Sequence, residues 1–491
     1  MLKTGSGRSN DEESHLRFIP LVIKRVPNST PESSSLTRQY FHIPFKMEEC
    51  CDGKTLDQLF ARVGPYTMLA WNNHWSPCEE FAQPFLTVPV DKYGHSGWSP
   101  LGSYFVTSHD HNVSIWGSKD YLNGFGNLMC FNHHKVEQFD VSPGEKYLVT
   151  YNRPKPSDPK VSASLLPFFP QFQSDGEVFK LVPPTNLQGL WLKIFDVTSG
   201  KGVVGVNRGA ADSPQWPVIR WAGGKDDKYF ATLSKNNTIS VYETETFSPL
   251  GEKPLYLDDV VDISWSPTES LLAVLLKGRG KQPAKALLLR IPDKVKLAEK
   301  DLPAGDCKMH WQSNGEYLAV NTYSGFEFFR ITEEGLPMDS LVDKKILTFA
   351  RKPSGNRFAV IHGDEETNIS DPHQKTRACH RSTKRGYQLK QITTVKHPKA
   401  NHVVWDPSGR YVATAFTIPQ QKFDANYDCE RDEPLERFHM LSSNGDFLYF
   451  HQCDYPLIQL DWRPYGGGII DDELLETRKR FLLETNEGSW F

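Results

Sequence analysis

One short string recurs along the chain, and a recurrence of this period constrains the fold more tightly than any single residue. It consists of an aromatic residue, a Ser/Asp-Pro-x-Gly turn and a short apolar strand. It reads Trp98-Ser99-Pro100-Leu101-Gly102-Ser103-Tyr104-Phe105-Val106, and returns as Trp405-Asp406-Pro407-Ser408-Gly409-Arg410-Tyr411-Val412-Ala413. Looser copies begin at Val141, Trp221, Trp265, Trp311, Arg351 and Trp462. A type I turn favours Ser or Asp first, Pro second and Gly fourth, which is the order found here. Each turn leads into residues suited to a half-buried strand, such as Tyr147-Leu148-Val149 and Tyr229-Phe230-Ala231. A further strand then follows in most copies, as in Val113–Trp116, Ile239–Tyr242 and Phe326–Phe329.

Most anchors stand about 40–57 residues apart, where a propeller blade of four strands takes roughly 40–45. The step of about 80 residues from Val141 to Trp221 holds one anchor-and-strand set, so it reads as one blade with an insertion. The expected fold is all-β, a WD40-like β-propeller of eight or nine blades followed by a short C-terminal helix. A β-sandwich would not sustain such a period. The expected boundaries are a flexible segment over 1–35, the propeller over 36–466 and a helical tail over 467–491.

Composition narrows the function classes. Aromatics make up 12%, including 12 Trp and 29 Phe, and suit apolar layers between packed blades. The net charge of −4 provides no global basic field for nucleic acid, so any RNA contact is local. The eight cysteines form no CxxC pair and no Cys/His cluster of zinc spacing. The polar start lacks the apolar segment of a signal peptide, and the run Leu271–Leu276 is too short to cross a bilayer. These features imply a reduced, cytoplasmic protein. There is no GxSxG elbow, Walker A loop or HExxH, so no catalytic residue, metal, cofactor or small-molecule substrate is expected. His133-His134 and the His373/His380 pair lack carboxylate or thiol neighbours and read as solvated.

Three regions depart from the repeat. The insertion 153–189 is rich in proline and carries Phe168-Phe169-Pro170, which reads as an extended or irregular loop. It is either a surface excursion or a docking segment. The irregular segment 364–395 gathers Lys375, Arg377, Arg381, Lys384 and Arg385. It is either a phosphate-binding loop or a solvated one. A smaller basic run, Lys277, Arg279, Lys281 and Lys285, has the same two readings. In the tail, Leu474, Leu475, Arg478, Phe481 and Leu482 fall near one face of a helix with acidic residues leading and basic ones following. That stripe either packs back on the propeller or enters a partner's groove.

The strings GWSPLGSYFVT, FDVSPGEKYLVTY, DCKMHWQSNGEYLAV, VVWDPSGRYVAT and LDWRP, in that order, resemble the b subunit family of eukaryotic translation initiation factor 3. The likeness runs from about Thr67 to Pro464. It implies a non-catalytic propeller scaffold that binds other subunits, a, i and g among them. It also implies contact with the small ribosomal subunit during preinitiation complex assembly and mRNA recruitment. By the same resemblance Leu474, Leu475, Phe481 and Leu482 become the partner surface, and the basic loops become contacts to rRNA or ribosomal proteins. A propeller interaction module in another RNA-processing or trafficking complex is the alternative.

The sequence also departs from that family. Before Thr67 there is no RNP-like aromatic strand, although the family carries an RNA-recognition motif there. Between Arg351 and Trp405 the family would place two blades, and this chain has room for one and a remnant. The absent anchor coincides with the basic run.

Overall fold

The recurring turns at Ser99, Ser142 and Asp406 are each locked by their own first residue. The Gly102 N–H donates to the Ser99 carbonyl at 2.9 Å, and the Tyr104 N–H donates to Ser99 Oγ at 3.1 Å. The copy at Ser142 repeats both bonds with Glu145 and Tyr147, at 2.8 and 2.9 Å. The fourth position needs left-handed backbone. Gly102 takes φ 75°, and Glu145, which has no glycine's freedom, is held at φ 63°. The turn sends the chain back antiparallel beside the strand that ended at the anchor.

A computed structural model describes residues 19–26, most of 58–362 and most of 393–464. The stretches 72–85, 153–179, 183–190, 208–215, 363–392 and 419–435 and the tail from 465 are among those outside the description. The described strands form eight sheets. Every anchor ends the first strand of one sheet: Ser96–Trp98, Gln138–Val141, Arg220–Trp221, Val260–Trp265, Lys308–Trp311, Ile346–Arg351, His402–Trp405 and Leu457–Trp462. We number the sheets around the ring, with sheet one opening on Leu457–Trp462 and sheets two to eight opening on the others in chain order.

The sheets stack face to face, so their middle strands are buried on both sides. In Leu271–Leu276 of sheet five, Leu272 and Val274 face sheet four, while Leu271, Ala273 and Leu275 face sheet six. This alternation explains the uninterrupted apolar run read from sequence. Eight apolar clusters fill the eight seams between successive sheets, the last joining sheet eight to sheet one. The seam between sheets six and seven is aromatic, with Phe326 and Phe349 stacked at 4.8 Å and Phe328 against Phe358 at 5.4 Å. The architecture is an all-β, WD40-like propeller.

Sheet one closes the ring with strands from distant parts of the chain. Leu457–Trp462 pairs antiparallel with Gln58–Val63, which continues into Tyr66–Trp71 and Leu86–Pro89. The Arg463 N–H donates to the Gln58 carbonyl at 2.8 Å, and Arg463 Nη1 donates to Gln58 Oε1 at 2.8 Å.

Several expectations change here. Within the segment 1–35, expected to stay flexible outside the propeller, Ile19–Val26 is a strand of sheet seven, lying between Arg357–His362 and Thr393–Pro398. Within the insertion, expected to hold no strand, Lys180–Val182 pairs with Gly202–Asn207 and adds a fifth strand to sheet three. The insertion otherwise leaves one sheet between Val141 and Trp221, as the spacing implied. His133 is not solvated: it is 3% exposed, and its Nδ1 lies 2.7 Å from Thr150 Oγ1. His397 repeats this with Thr414 at 2.8 Å, both pairs being 17 residues apart in sequence. His373, His380 and the expected C-terminal helix lie outside the described residues. Among those described there is no helix, and hence none long and apolar enough to cross a membrane.

Candidate interaction surface

The anchor tryptophans couple neighbouring sheets. Trp265 Nε1 donates to the Arg220 carbonyl at 2.9 Å, Trp311 Nε1 to Ser264 at 3.3 Å and Trp405 Nε1 to Ala350 at 3.0 Å. In each case the acceptor is the residue just before the preceding sheet's anchor. At these three anchors Trp supplies its apolar ring and its N–H together.

The turns themselves interlock on one face. Glu145 Oε1 accepts from the Leu101 N–H at 2.8 Å, and its carbonyl accepts from the Tyr104 hydroxyl at 3.1 Å. The Asp227 carboxylate accepts from Ser142 Oγ and from the Gly144 N–H, both at 2.6 Å. Both acidic residues have positive φ, and both use the side chain to cap the turn of the preceding sheet. Between sheets one and two, Arg463 Nε donates to the Gly102 carbonyl at 2.6 Å.

The inner strands carry charges in alternation. Arg220 Nη2 lies 3.1 Å from an Asp262 oxygen. Burial pushes the Asp140 carboxyl up to about 6, against the opposing pull of the Val141 N–H and the Arg220 cation. Burial also raises Asp461, opposed by the Trp462 N–H and by His402. These groups hold one strand to the next. A cleft of about 330 Å³ opens between the turns of sheets four and five, lined by Gly224, Asp226, Lys228, Tyr229, Thr268 and Glu269. It is polar and of mixed charge. Among the described residues, no group of three or more His, Cys, Asp or Glu could hold a metal ion.

The outer rim differs from sheet to sheet. The outermost strand of sheet five, Val295–Leu302, is guarded by charge: Lys296 pairs with Glu299 at 2.8 Å, and Lys285 of the adjacent strand also pairs with Glu299. The outermost strand of sheet eight, Phe447–Gln452, instead exposes Phe447 and Phe450, at 46% and 45%. Phe447 packs edge-on to His439, which stacks on buried His397 at 3.7 Å. Sequence reasoning missed this aromatic edge, although the run Phe447-Leu448-Tyr449-Phe450 was its visible signal.

The site residues expected from sequence are mostly elsewhere. Leu474, Leu475, Phe481, Leu482, Lys375, Arg377, Arg381, Lys384, Arg385 and Lys281 lie outside the described residues. Lys277 and Arg279 follow the second strand of sheet five. Lys277 is exposed, whereas Arg279 Nε is 2.6 Å from an Asp259 oxygen. Arg279 is therefore half of an ion pair, and the smaller basic run is not a stretch of uncompensated cations.

Comparison with known proteins gives this surface a family. The family described as "Eukaryotic translation initiation factor eIF2A" matches residues 381–429. The B subunit of eukaryotic translation initiation factor 3 from Arabidopsis thaliana is 42% identical over 382 residues, covering 74% of this chain and 50% of the relative. The Nicotiana tabacum B subunit is 32% identical, covering 88% of this chain and 63% of the relative. This chain thus spans about half to two thirds of the length of these relatives. A solved structure titled "Crystal structure of the eukaryotic initiation factor" superposes with TM-score 0.51 at 17% identity, covering 84% of this chain and 99% of that one, which shows a shared fold. Relatives of the same name recur from plants to Dictyostelium discoideum and Xenopus laevis, and the chain belongs to the family of the B subunit of eukaryotic translation initiation factor 3.

Proposed function

We propose that this chain is a non-catalytic scaffold of initiation factor 3, working in the cytoplasm. It would bind other subunits, a, i and g among them, and the small ribosomal subunit during preinitiation complex assembly and mRNA recruitment. The observation that carries this reading is the 42% identity to the Arabidopsis thaliana B subunit across most of the chain. The interlocked ring supports it, because a rigid body with varied outer edges holds several partners at fixed separations. In this reading each of the eight sheets is one blade. Leu474, Leu475, Phe481 and Leu482 form the apolar stripe of a C-terminal partner helix. Lys375, Arg377, Arg381, Lys384 and Arg385, with Lys277 and Lys281, meet ribosomal phosphates, and Arg279 contributes less because Asp259 already engages it.

Sedimentation of tagged chain from lysate tests the proposal. Co-migration with other initiation-factor subunits and small ribosomal subunits is the expected result. A stable set of partners from RNA processing or trafficking, with no initiation-factor subunit among them, would replace it with the alternative. For the tail, Leu474→Asp with Leu475→Asp releases the i and g subunits while the propeller stays folded. Retained binding in a pull-down refutes that assignment.

A further inference from the structure

Sheet seven is the one sheet among those described that contains parallel pairing. Ile19–Val26 runs parallel to Arg357–His362, from Ile19 opposite Arg357 to Lys24 opposite His362. It also runs parallel to Thr393–Pro398, from Leu21 opposite Thr393 to Val26 opposite Pro398. Every other described pairing is antiparallel. The place it fills is that of a third strand. In an ordinary four-stranded meander, the second and fourth strands run the same way and the third runs against both. A strand entering from the second through a tight turn can only be antiparallel. One delivered from elsewhere has no such constraint, and this one arrives from the far end of the chain.

The slot needs an occupant because of its main chain. Phe358 and Val360 of its inner wall pack toward sheet six and Ala359 and Ile361 toward sheet eight, so the strand edge between them lies in a buried layer. Vacating the slot leaves two facing rows of backbone N–H and C=O groups without partners. Pro20, which lacks an N–H, is the second residue of the donor: it lies opposite Phe358 and just before the first residue paired to Thr393–Pro398, near the strand's start where a proline is tolerated. Residues 27–57 join the donor to sheet one, two sheets away around the ring. A connection of that length can span at most roughly 100 Å, enough to reach a neighbouring molecule.

We propose that the third-strand slot of sheet seven is a strand-acceptor site, filled in cis by Ile19–Val26 and in trans by the same strand of a second copy. It recognises an extended, β-branched segment through main-chain ladders on both edges, so its ligand class is a peptide strand running parallel to Arg357–His362. The inference stands on strand pairing alone and does not depend on the proposed role in translation.

The test uses the whole chain carrying one protease site within residues 27–57, cut after folding so that both pieces remain. The N-terminal piece stays bound through gel filtration, and excess labelled peptide of residues 17–28 replaces it. The same peptide carrying Val22→Pro is captured at least tenfold less. Absence of peptide capture, or equal capture of the proline peptide, overturns the proposal. If cutting unfolds the chain, intact Val22→Pro is read by hydrogen exchange. Faster exchange confined to Arg357–His362 and Thr393–Pro398, reversed by the parent peptide, supports it. Unchanged exchange there overturns it.

Discussion

Sheets five and seven have the same four-strand plan and reach it in opposite ways. Sheet five is one unbroken meander from Val260–Trp265 to Val295–Leu302, every pair antiparallel and every connection local. Sheet seven takes two strands from one stretch, a third from beyond residues 363–392 and its filler from the N-terminal end of the chain. Loop closure is nearly complete for sheet five once its hairpins form, whereas sheet seven must bring together segments more than 300 residues apart, an entropic cost that grows slowly with separation. The contrast shows that the architecture specifies a slot, and that chain continuity is only one way of filling it.

The largest expected effect breaks the stronger member of the pair. Leu288 in sheet five is 1% exposed among Ala273, Ala286 and Leu318. Leu288→Ala is expected to cost about 2–5 kcal/mol in denaturant unfolding. A cost below about 1 kcal/mol would mean that sheet five is loosely packed.

Gly102→Ala tests the interlocked turns. Its φ of 75° disfavours a side chain, and an added Cβ would meet the Pro464 carbonyl oxygen at 2.0 Å. A loss of about 2–4 kcal/mol is expected, since backbone strain and overpacking act together. Gly126→Ala, where an added Cβ meets nothing, is the control.

Trp405→Phe removes the bond to Ala350 that ties sheet eight to sheet seven while keeping most of the ring. A loss of about 1–2 kcal/mol is expected, from a half-buried acceptor that loses its partner. Double-mutant cycles with Val22→Pro then report whether the borrowed strand and this seam are coupled.

The last effect depends on pH. Asp140 has its carboxyl raised to about 6, so the fold favours the protonated form. Its stabilising contribution is full below about pH 4 and is lost as pH rises through about 6. Asp140→Asn is therefore expected to be more stable than the parent chain at about pH 7.5, by about 1–3 kcal/mol, with the gap vanishing below about pH 4. Equal midpoints at both pH values would show that Asp140 is not penalised by burial.

What was legible in the sequence was what local chemistry encodes. The turn residues and the apolar alternation marked every inner strand, because a type I turn and a half-buried strand make demands on adjacent residues. The gap after Arg351 was legible as well, since an anchor was missing there. Its filler was not. Ile19-Pro20-Leu21-Val22-Ile23-Lys24-Arg25-Val26 reads as a strand-forming run, but nothing in it names its partners, which are set by the ring. The burial of His133 was hidden for the same reason: its partner Thr150 sits 17 residues away on the next strand but one. The aromatic edge Phe447–Gln452 was visible as a run, and its exposure followed only from being the outermost strand of sheet eight.

Ring closure has a consequence for the chain as it is made. Gln58–Val63 leaves the ribosome early and then waits for about 400 residues until Leu457–Trp462 arrives to cover its open side. At typical rates of synthesis that interval is about 20–80 s. Throughout it, one flank of sheet one stands unpaired, a nascent surface that invites a chaperone or a neighbouring polysome product before the molecule can shut its own door.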